Sequence, residues 1–244
     1  MPLEILLLLS AGIFVIAILY SSVGHAGASG YIAVMSLLSL APTVIKPTSL
    51  ALNILVASIA AWQFFRAGHF AWSLFWPFAI SAVPLAYLGG YVNLPAPLFK
   101  VALGLVLIGS AAHFLFAVSG DKPISPPPRF QAIVIGAGIG FFSGLTGTGG
   151  GIFLTPILLL MGWAKVKTAA AVSALFILIN SIAGLAGYFA NTKTFPSFIL
   201  PLFVAAALGG AIGSYLGSRR FKPVVIKRFL AMVLLIAGTK LIFM

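Results

Sequence analysis

Two glycine-rich breaks interrupt the apolar runs of this sequence and restrict the folds that it can adopt. The second break spans residues 143–151, between the apolar runs 130–142 and 152–161, and a weaker copy spans residues 22–30. Unpaired backbone groups are very costly in lipid, so irregular backbone at membrane depth must face protein or a wet cavity. Two such breaks, at matching positions in two halves of a chain, indicate the substrate site of a transporter.

Composition places the chain in a membrane. The sequence is 61% hydrophobic and 7% charged, with a mean hydropathy of +1.19, which would leave a soluble domain almost no surface to offer water. The apolar runs are nearly continuous rather than alternating, so they predict spanning helices and not a transmembrane β-barrel. Residues 3–20 are long enough to span and lack a preceding basic region, so we expect mature structure there rather than a signal peptide.

Basic residues give the chain a formal net charge of +12, from fourteen Lys and Arg against Glu4 and Asp121. Basic loops set orientation and contact anionic lipid, and their positive potential can also attract anions. We expect no nucleic-acid partner, because the charges are spread over short loops. The two carboxylates lie at the N-terminus and in a linker, so a coupling proton would have to be carried by His25 or by the substrate. Sodium is the other coupling ion that we consider.

The apolar runs predict an all-α integral membrane protein of two related halves, with four to five hydrophobic segments in each and 8–10 in total. The expected segments are 3–23, 31–41, 47–66, 70–92 and 97–118, then 130–145, 151–162, 166–190, 196–218 and 223–243. A proline-rich linker, 119–129, separates the repeats 1–118 and 130–244. The second segment of each half is roughly 18 Å long and cannot cross a core of about 30 Å. We therefore expect short half-helices beside the glycine breaks, near the midplane.

Ordered matches between the halves predict a duplicated unit. Lys46 aligns with Lys167 at the same offset as the two breaks, and Tyr87 aligns with Tyr215 further along. Ten crossings would make the halves inverted, whereas re-entrant short segments would give eight crossings and parallel halves. The distribution of Lys and Arg slightly favours ten. The two lysines are interpreted as cations that extend to the membrane interface, with anion guidance as the alternative.

Small residues also recur at helical spacing in the second half. Two small-xxx-small stripes predict close helix packing, and they permit a homodimer without requiring one. The stripes are Gly136, Gly140 and Gly144, and Gly209, Gly213 and Gly217. Asn53 and Asn180 fall inside apolar segments, where interhelical hydrogen bonding is the commoner use of an amide, although Asn180 could line a cavity.

The two breaks carry the residues that we predict to bind a substrate. Glycine permits positive φ and close approach of the backbone, and a short helix after a break directs its N–H groups and positive dipole end into a cavity. With hydroxyl donors nearby, such a site suits a small oxyanion. The predicted substrate-binding residues are Ser22, Gly24, His25, Gly27, Ser29, Gly30, Ser143, Thr146, Gly147, Thr148, Gly149, Gly150, Gly151 and Asn180.

His25 is the one ionisable residue of the breaks, and Thr146 is its counterpart in the second half. A histidine at membrane depth is a candidate donor to an anion or carrier of a proton. The alternative is a neutral, hydrogen-bonded structural histidine. The sequence leaves both interpretations open.

The second break resembles the glycine-rich motif of the sulfite exporter TauE/SafE family, also called the 4-toluene sulfonate uptake permease superfamily. Residues 144–151 and Pro156 carry the resemblance, and the chain length, the two halves and the placement of the breaks extend it to the whole chain. Members are small membrane carriers linked to sulfite, sulfonates and other sulfur-containing organic anions. The resemblance implies that both motif regions line the transport path.

The first break departs from the family pattern. Ala26, Ala28 and Ser29 stand where more glycines are typical, and Met35 occupies the position of the proline. The resemblance still implies a multi-pass secondary transporter of the plasma or bacterial inner membrane, moving sulfite, thiosulfate or an organosulfonate by alternating access. An anion channel and a non-transporting scaffold subunit are the alternatives. We expect no enzymatic activity, cofactor or metal site, because the sequence contains no catalytic or ligand cluster.

Overall fold

A computed structural model describes residues 3–92, 125–192 and 199–220, with single positions in 98–112 and 231–239. All regular secondary structure in the described residues is helical, as predicted. In chain order the helices are α1 (Leu3–Ser21), α2 (Ala28–Leu37), α3 (Pro42–Arg66), α4 (Trp72–Tyr91), α5 (Arg129–Thr146), α6 (Gly151–Leu160), α7 (Val166–Asn191) and α8 (Ile199–Arg219). Most of the fifth segment of each half and most of the linker lie outside the described residues, so the number of crossings stays a prediction.

Six of these helices are long and apolar enough to span a membrane, namely α1, α3, α4, α5, α7 and α8. The other two, α2 and α6, contain ten residues each, or about 15 Å of helix, which is half of a hydrocarbon core. The prediction of a short helix beside each glycine break is therefore confirmed. The order of long, short, long and long is the same in α1–α4 and α5–α8, while the duplication itself stays a prediction.

Helix α3 begins earlier than predicted, at Pro42 rather than at Pro47. Proline inside a helix lacks an N–H group, so the carbonyl one turn before it loses its usual partner. In this protein the Tyr188 hydroxyl donates to that carbonyl, on Thr43, at 3.1 Å. The hydrogen bond from α7 allows α3 to continue through the proline.

Both glycine stripes pack against other helices of the same chain. A β-carbon at Gly136, Gly140 or Gly144 of α5 would overlap the backbone of α4. One at Gly209 or Gly213 of α8 would overlap the backbone of α1, and one at Gly217 would overlap the backbone of Ser22, directly after α1. The prediction of close packing is confirmed. The stripes are used within the chain, so a homodimer stays a prediction that would need another surface.

The helix directions follow from these contacts. Successive residues Phe78, Ala82 and Ala86 of α4 oppose the stripe of α5 in the same order, so α4 and α5 are parallel. The stripe of α8 opposes Phe14, Ile18 and Ser22 in the same order, so α8 and α1 are also parallel. Lys167, at the start of α7, contacts Ser218, at the end of α8, so α7 and α8 are antiparallel. The starts of α4, α5 and α7 line one cleft and therefore lie at the same face of the protein. Helices α1 and α5 therefore run in opposite directions, which is the arrangement expected of inverted halves.

One face of the protein carries nearly all described basic residues; we call it the basic face. It contains Arg66, Arg129, Lys165, Lys167, Arg219 and Arg220. Burial and the positive charge of Lys167 lower the pKa of His69 on this face below its ordinary value. The positive-inside rule predicts that the basic face lies in the cytoplasm.

Candidate functional site

The first break turns the chain between α1 and α2. Gly24 and Gly27 have φ values of +79° and +109°, which lie in the left-handed region that favours glycine. A β-carbon at Gly24 would lie 2.5 Å from the β-carbon of Ala170 in α7. Glycine at position 24 therefore provides the turn and allows the first break to contact the second half of the chain.

The second break turns the chain between α5 and α6. Gly147, Gly149 and Gly150 have φ values of +79°, +76° and +82°. A β-carbon at Gly149 would lie 2.5 Å from Asn53 Nδ2 and 2.9 Å from Ser181 Oγ. The break is thus wedged between α3 and α7, with no room for a larger residue.

The two breaks contact α7 at different levels. Gly24 lies against Ala170, whereas Gly149 reaches Ser181, about three helical turns or roughly 16 Å further along α7. The two breaks contact α7 at different levels because α1 and α5, the helices that precede them, begin at opposite faces of the protein. The space between the breaks lies beside the central part of α7.

His25 bridges this space and joins the two halves. Its Nε2 lies 2.8 Å from Thr155 Oγ1 in α6, and Thr155 Oγ1 donates to Ser173 Oγ in α7 at 2.7 Å. A β-carbon at Gly151 would lie 3.4 Å from the His25 ring. The exposed fractions are 2% for His25, 7% for Thr155 and 0% for Ser173, so this chain of polar groups is closed to the outside.

The direction of the His25–Thr155 bond depends on the histidine tautomer. A hydroxyl has one hydrogen to donate, and Thr155 donates to Ser173. The tautomer with the proton on Nε2 would let His25 donate to Thr155 and complete the chain. The contact fits both roles left open by the sequence, since it holds the ring in place and orients a polar group between the halves.

Four predicted residues of the first break make local contacts within the α1–α2 pair. Ser22 Oγ donates to a carbonyl of α1 at 2.7 Å, and Ser29 Oγ donates to the Tyr20 hydroxyl at 3.0 Å. Gly27 and Gly30 face side chains of the same two helices. Of the predicted residues in the first break, Gly24 and His25 contact α7 and α6, and the backbone of Ser22 contacts Gly217 of α8.

The hydroxyl groups of the second break are buried beside one another. Thr146 Oγ1 donates to the Phe142 carbonyl at 2.7 Å and lies 3.0 Å from Thr148 Oγ1. Ser143 is fully buried, and its hydroxyl has no hydrogen-bond partner among the described residues. The structure therefore gathers all predicted residues from 143 to 151 in one place.

Two buried amides lie on the helices beside this break, Asn53 on α3 and Asn180 on α7. Asn53 Nδ2 donates to the Thr148 carbonyl at 3.3 Å and lies 3.4 Å from Ser181 Oγ. Asn180 Nδ2 donates to the Phe176 carbonyl of its own helix at 2.9 Å. The interhelical hydrogen bonding expected of Asn53 is confirmed, whereas Asn180 donates within α7.

The comparisons with known proteins identify the family. The model of the sulfite exporter TauE/SafE family matches residues 8–241. This chain belongs to the TauE/SafE family. A probable membrane transporter protein of Sinorhizobium fredii is 40% identical over 240 residues, which cover 96% of this chain and 97% of the relative. A probable membrane transporter protein of Methanocaldococcus jannaschii is 28% identical over 206 residues, covering 81% and 77%. No solved structure matches.

The family membership and the transporter relatives agree with the six apolar spanning helices. This TauE/SafE protein is a multi-pass membrane transporter. The resemblance stated from the second break is thereby confirmed over nearly the whole chain. The substrate and the roles of individual site residues are the subject of the proposals below.

Sequence reasoning missed two members of the His25 chain, Thr155 and Ser173. Thr155 is the only side chain with a hydroxyl in α6, an otherwise apolar helix of ten residues, and that isolation was a usable signal. Ser173 lies in a run of alanines and apolar residues with no comparable mark. The contact between Ser173 and Thr155 becomes evident only from the packing of α6 against α7.

The interpretation of Lys46 as an interfacial cation is wrong. Lys46 is 4% exposed, and its Nζ donates to three carbonyls at the end of α4, at 2.9–3.3 Å. Its counterpart Lys167 donates to the Ser218 carbonyl at the end of α8, at 3.1 Å. Each lysine therefore stabilises the negative end of the fourth helix of its own half. The repeat alignment did not reveal this because α4 and α8 end far away in sequence.

A cleft of about 590 Å³ opens at the basic face of this TauE/SafE transporter. Its lining includes Arg129, Lys165, Ser73 and Thr168, with the buried Trp163 on one wall. No carboxylate among the described residues pairs with these two cations, and their positive potential attracts anions. The cleft contains no residue of either break, so it is separate from the buried polar site.

Proposed function

We propose that this TauE/SafE protein is a secondary transporter for a small sulfur-containing anion: sulfite, thiosulfate or an organosulfonate. The family description, which names sulfite export, supports the substrate class. The observation that carries the proposal is the His25–Thr155 hydrogen bond, because it places an oriented polar group from the first break against the short helix that follows the second.

The second break has the chemistry that a small oxyanion requires. Helix α6 begins at Gly151, and its cap residue, Gly150, has no side chain that could accept a hydrogen bond from the N–H groups of the first turn. The uncapped N–H groups and the positive end of the helix dipole favour an anion. Thr148 and Thr146 add hydroxyl groups, and His25 Nε2 would add a polar group from the first break once its contact with Thr155 opens. In this proposal these groups replace part of the hydration shell of the anion.

The opposite directions of α1 and α5 support alternating access between the two halves. In transporters with inverted halves, substrate sites lie at the interface between the halves, near broken helices. The His25–Thr155 contact lies at such an interface and is closed on all sides in this conformation. Movement of one half against the other would open the break to one face at a time. The closed packing favours a carrier over a channel.

Counterflow in proteoliposomes tests this function. Vesicles loaded with unlabelled sulfite should accumulate external labelled sulfite transiently, and unlabelled thiosulfate should compete, because a carrier exchanges substrate through one site. A channel would equilibrate the label without overshoot. Flux no faster than in protein-free vesicles, for every sulfur anion and in folded protein, would reject transport of these anions and favour a scaffold subunit.

A further inference from the structure

Three buried oxygen atoms near the second break have no hydrogen-bond partner among the described residues. They are Oδ1 of Asn53, Oδ1 of Asn180 and Oγ of Ser143. All three residues are 0% exposed. An unpaired buried polar group carries a large desolvation cost, so a cluster of such atoms in a native site points to a ligand.

The hydrogen bonds fix the orientation of both amides. Asn53 Nδ2 faces the Thr148 carbonyl, and Asn180 Nδ2 faces the Phe176 carbonyl. Carbonyl oxygens only accept hydrogen bonds, so rotating either amide by half a turn would place two acceptors against each other. Each asparagine must therefore direct its oxygen, and not its NH₂ group, toward the remaining space.

Asn53 and Ser143 lie beside Gly149 and Gly150, and Asn180 lies about one turn or less along α7 from the residues that contact these glycines. A β-carbon at Gly149 would touch the Asn53 amide, and one at Gly150 would lie 3.3 Å from the β-carbon of Ser143. A β-carbon at Gly150 would also lie 3.0 Å from the ring of Phe176, the residue whose carbonyl holds the Asn180 amide. Helix α5 ends at this point, so its negative dipole end adds to the acceptor character.

This arrangement suits a cation and not an oxyanion. Amide oxygens carry partial negative charge and would repel sulfite. The ligands are neutral oxygens, and the described residues contain no cluster of three or more His, Cys, Asp or Glu. Hard neutral oxygens without carboxylates suit a monovalent ion better than a divalent one. The ammonium group of Lys46, on the same helix as Asn53, donates to three carbonyls at the end of α4 and so is directed away from Asn53 along the helix.

We propose that Asn53, Asn180 and Ser143 form a sodium site, and that sodium is the coupling ion of the transport cycle. The inference rests on the proposed function, since it assigns the ion that would accompany the anion. The cation would lie at the end of α5 and the anion at the start of α6, on either side of the same break. Broken helices in other transporters divide the two charges in this way. Binding of one ion then favours binding of the other through their attraction.

Thermal unfolding of the purified protein, without any sulfur anion, tests the site directly. Sodium chloride at tenfold excess over its Kd should raise Tm by about 3–6 °C relative to choline chloride. Asn180→Leu and the milder Ser143→Ala should remove that rise. Gln63→Leu is the matched control, because the Gln63 amide also donates to a carbonyl and leaves its own oxygen unpaired, but on α3 against α8. It should retain the full sodium effect.

Two results would overturn the sodium site: the same Tm in sodium, potassium and choline, or a sodium-dependent rise that survives in both site variants. Sulfite counterflow separates this failure from failure of the transport proposal. Sodium-independent sulfite counterflow would reject the coupling ion and leave the transporter intact. A sodium-dependent Tm rise in protein without sulfite flux would support the cation site and reject sulfite as its co-substrate.

Discussion

His25 Nε2 and Thr155 Oγ1 lie 2.8 Å apart and form a buried hydrogen bond. The two residues belong to different halves of the chain, and the bond is buried where the two glycine breaks approach each other. A carrier that alternates between two faces must remodel its central interface in each cycle. His25 and Thr155 are therefore the first targets for mutation.

We expect His25→Ala and Thr155→Val each to lower sulfite counterflow by about tenfold, because each removes one buried hydrogen bond of roughly 1 to 1.5 kcal/mol. The double variant should lose little more than either single variant, since both remove the same contact. Thr155→Ser, which keeps the hydroxyl, should restore the flux. Independent, multiplicative losses in the double variant would show that the two residues do not act as a pair.

The threonine pair of the second break should affect anion binding without disturbing the fold. Thr146→Val combined with Thr148→Val removes two adjacent hydroxyl groups and keeps the side-chain shape. We expect weaker sulfite affinity by roughly tenfold or more, measured as the concentration for half-maximal counterflow. The Tm without anion should change little. Unchanged sulfite flux in folded double variant contradicts the proposed anion contacts.

Two glycines of α5 offer a matched test of the helix packing. A β-carbon at Gly140 would overlap the backbone of Ala82 in α4, whereas one at Gly138 would meet nothing within 4 Å. Gly140→Ala should lower Tm markedly because α4 must move away. Gly138→Ala should leave Tm unchanged or raise it slightly, since alanine favours a helix by up to about 1 kcal/mol. Equal responses would mean that α4 and α5 do not pack through this stripe.

The two repeat-related lysines should differ in their contribution to stability. Lys46→Met leaves three carbonyls at the buried end of α4 without their donor, and we expect a loss of about 1–3 kcal/mol. Lys167→Met removes a contact of an exposed side chain, and such contacts contribute much less because water replaces them. Denaturant unfolding of both variants in the same detergent measures the difference. A larger loss for Lys167→Met would be inconsistent with the burial of Lys46.

Much of the fold could be predicted because it depends on local pattern. Long apolar runs mark the six spanning helices, and the spacing of Gly136, Gly140 and Gly144 predicts a close helix contact before its partner is known. The glycine breaks likewise predicted the short helices α2 and α6. These features depend on chain length and on backbone conformation, which a sequence expresses directly.

The site was harder to predict because its contacts join distant parts of the chain. His25 was identified from its break, but its partner Thr155 lies in the other half, and no local signal connects the two. The extension of α3 through Pro47 depends on a hydroxyl supplied by Tyr188 of α7. The burial of Lys46 depends on where α4 ends. In each case the deciding interaction forms only when the two halves pack together.

The most direct test of the central claim is anion binding by the purified protein, with and without His25. Thermal unfolding should be measured against sulfite, thiosulfate, an organosulfonate, sulfate and chloride, for wild type and for His25→Ala. The account predicts that one sulfur-containing anion raises Tm in the wild type and that His25→Ala loses most of that rise. A wild-type Tm that none of these anions changes, or an equal rise in the variant, would contradict it.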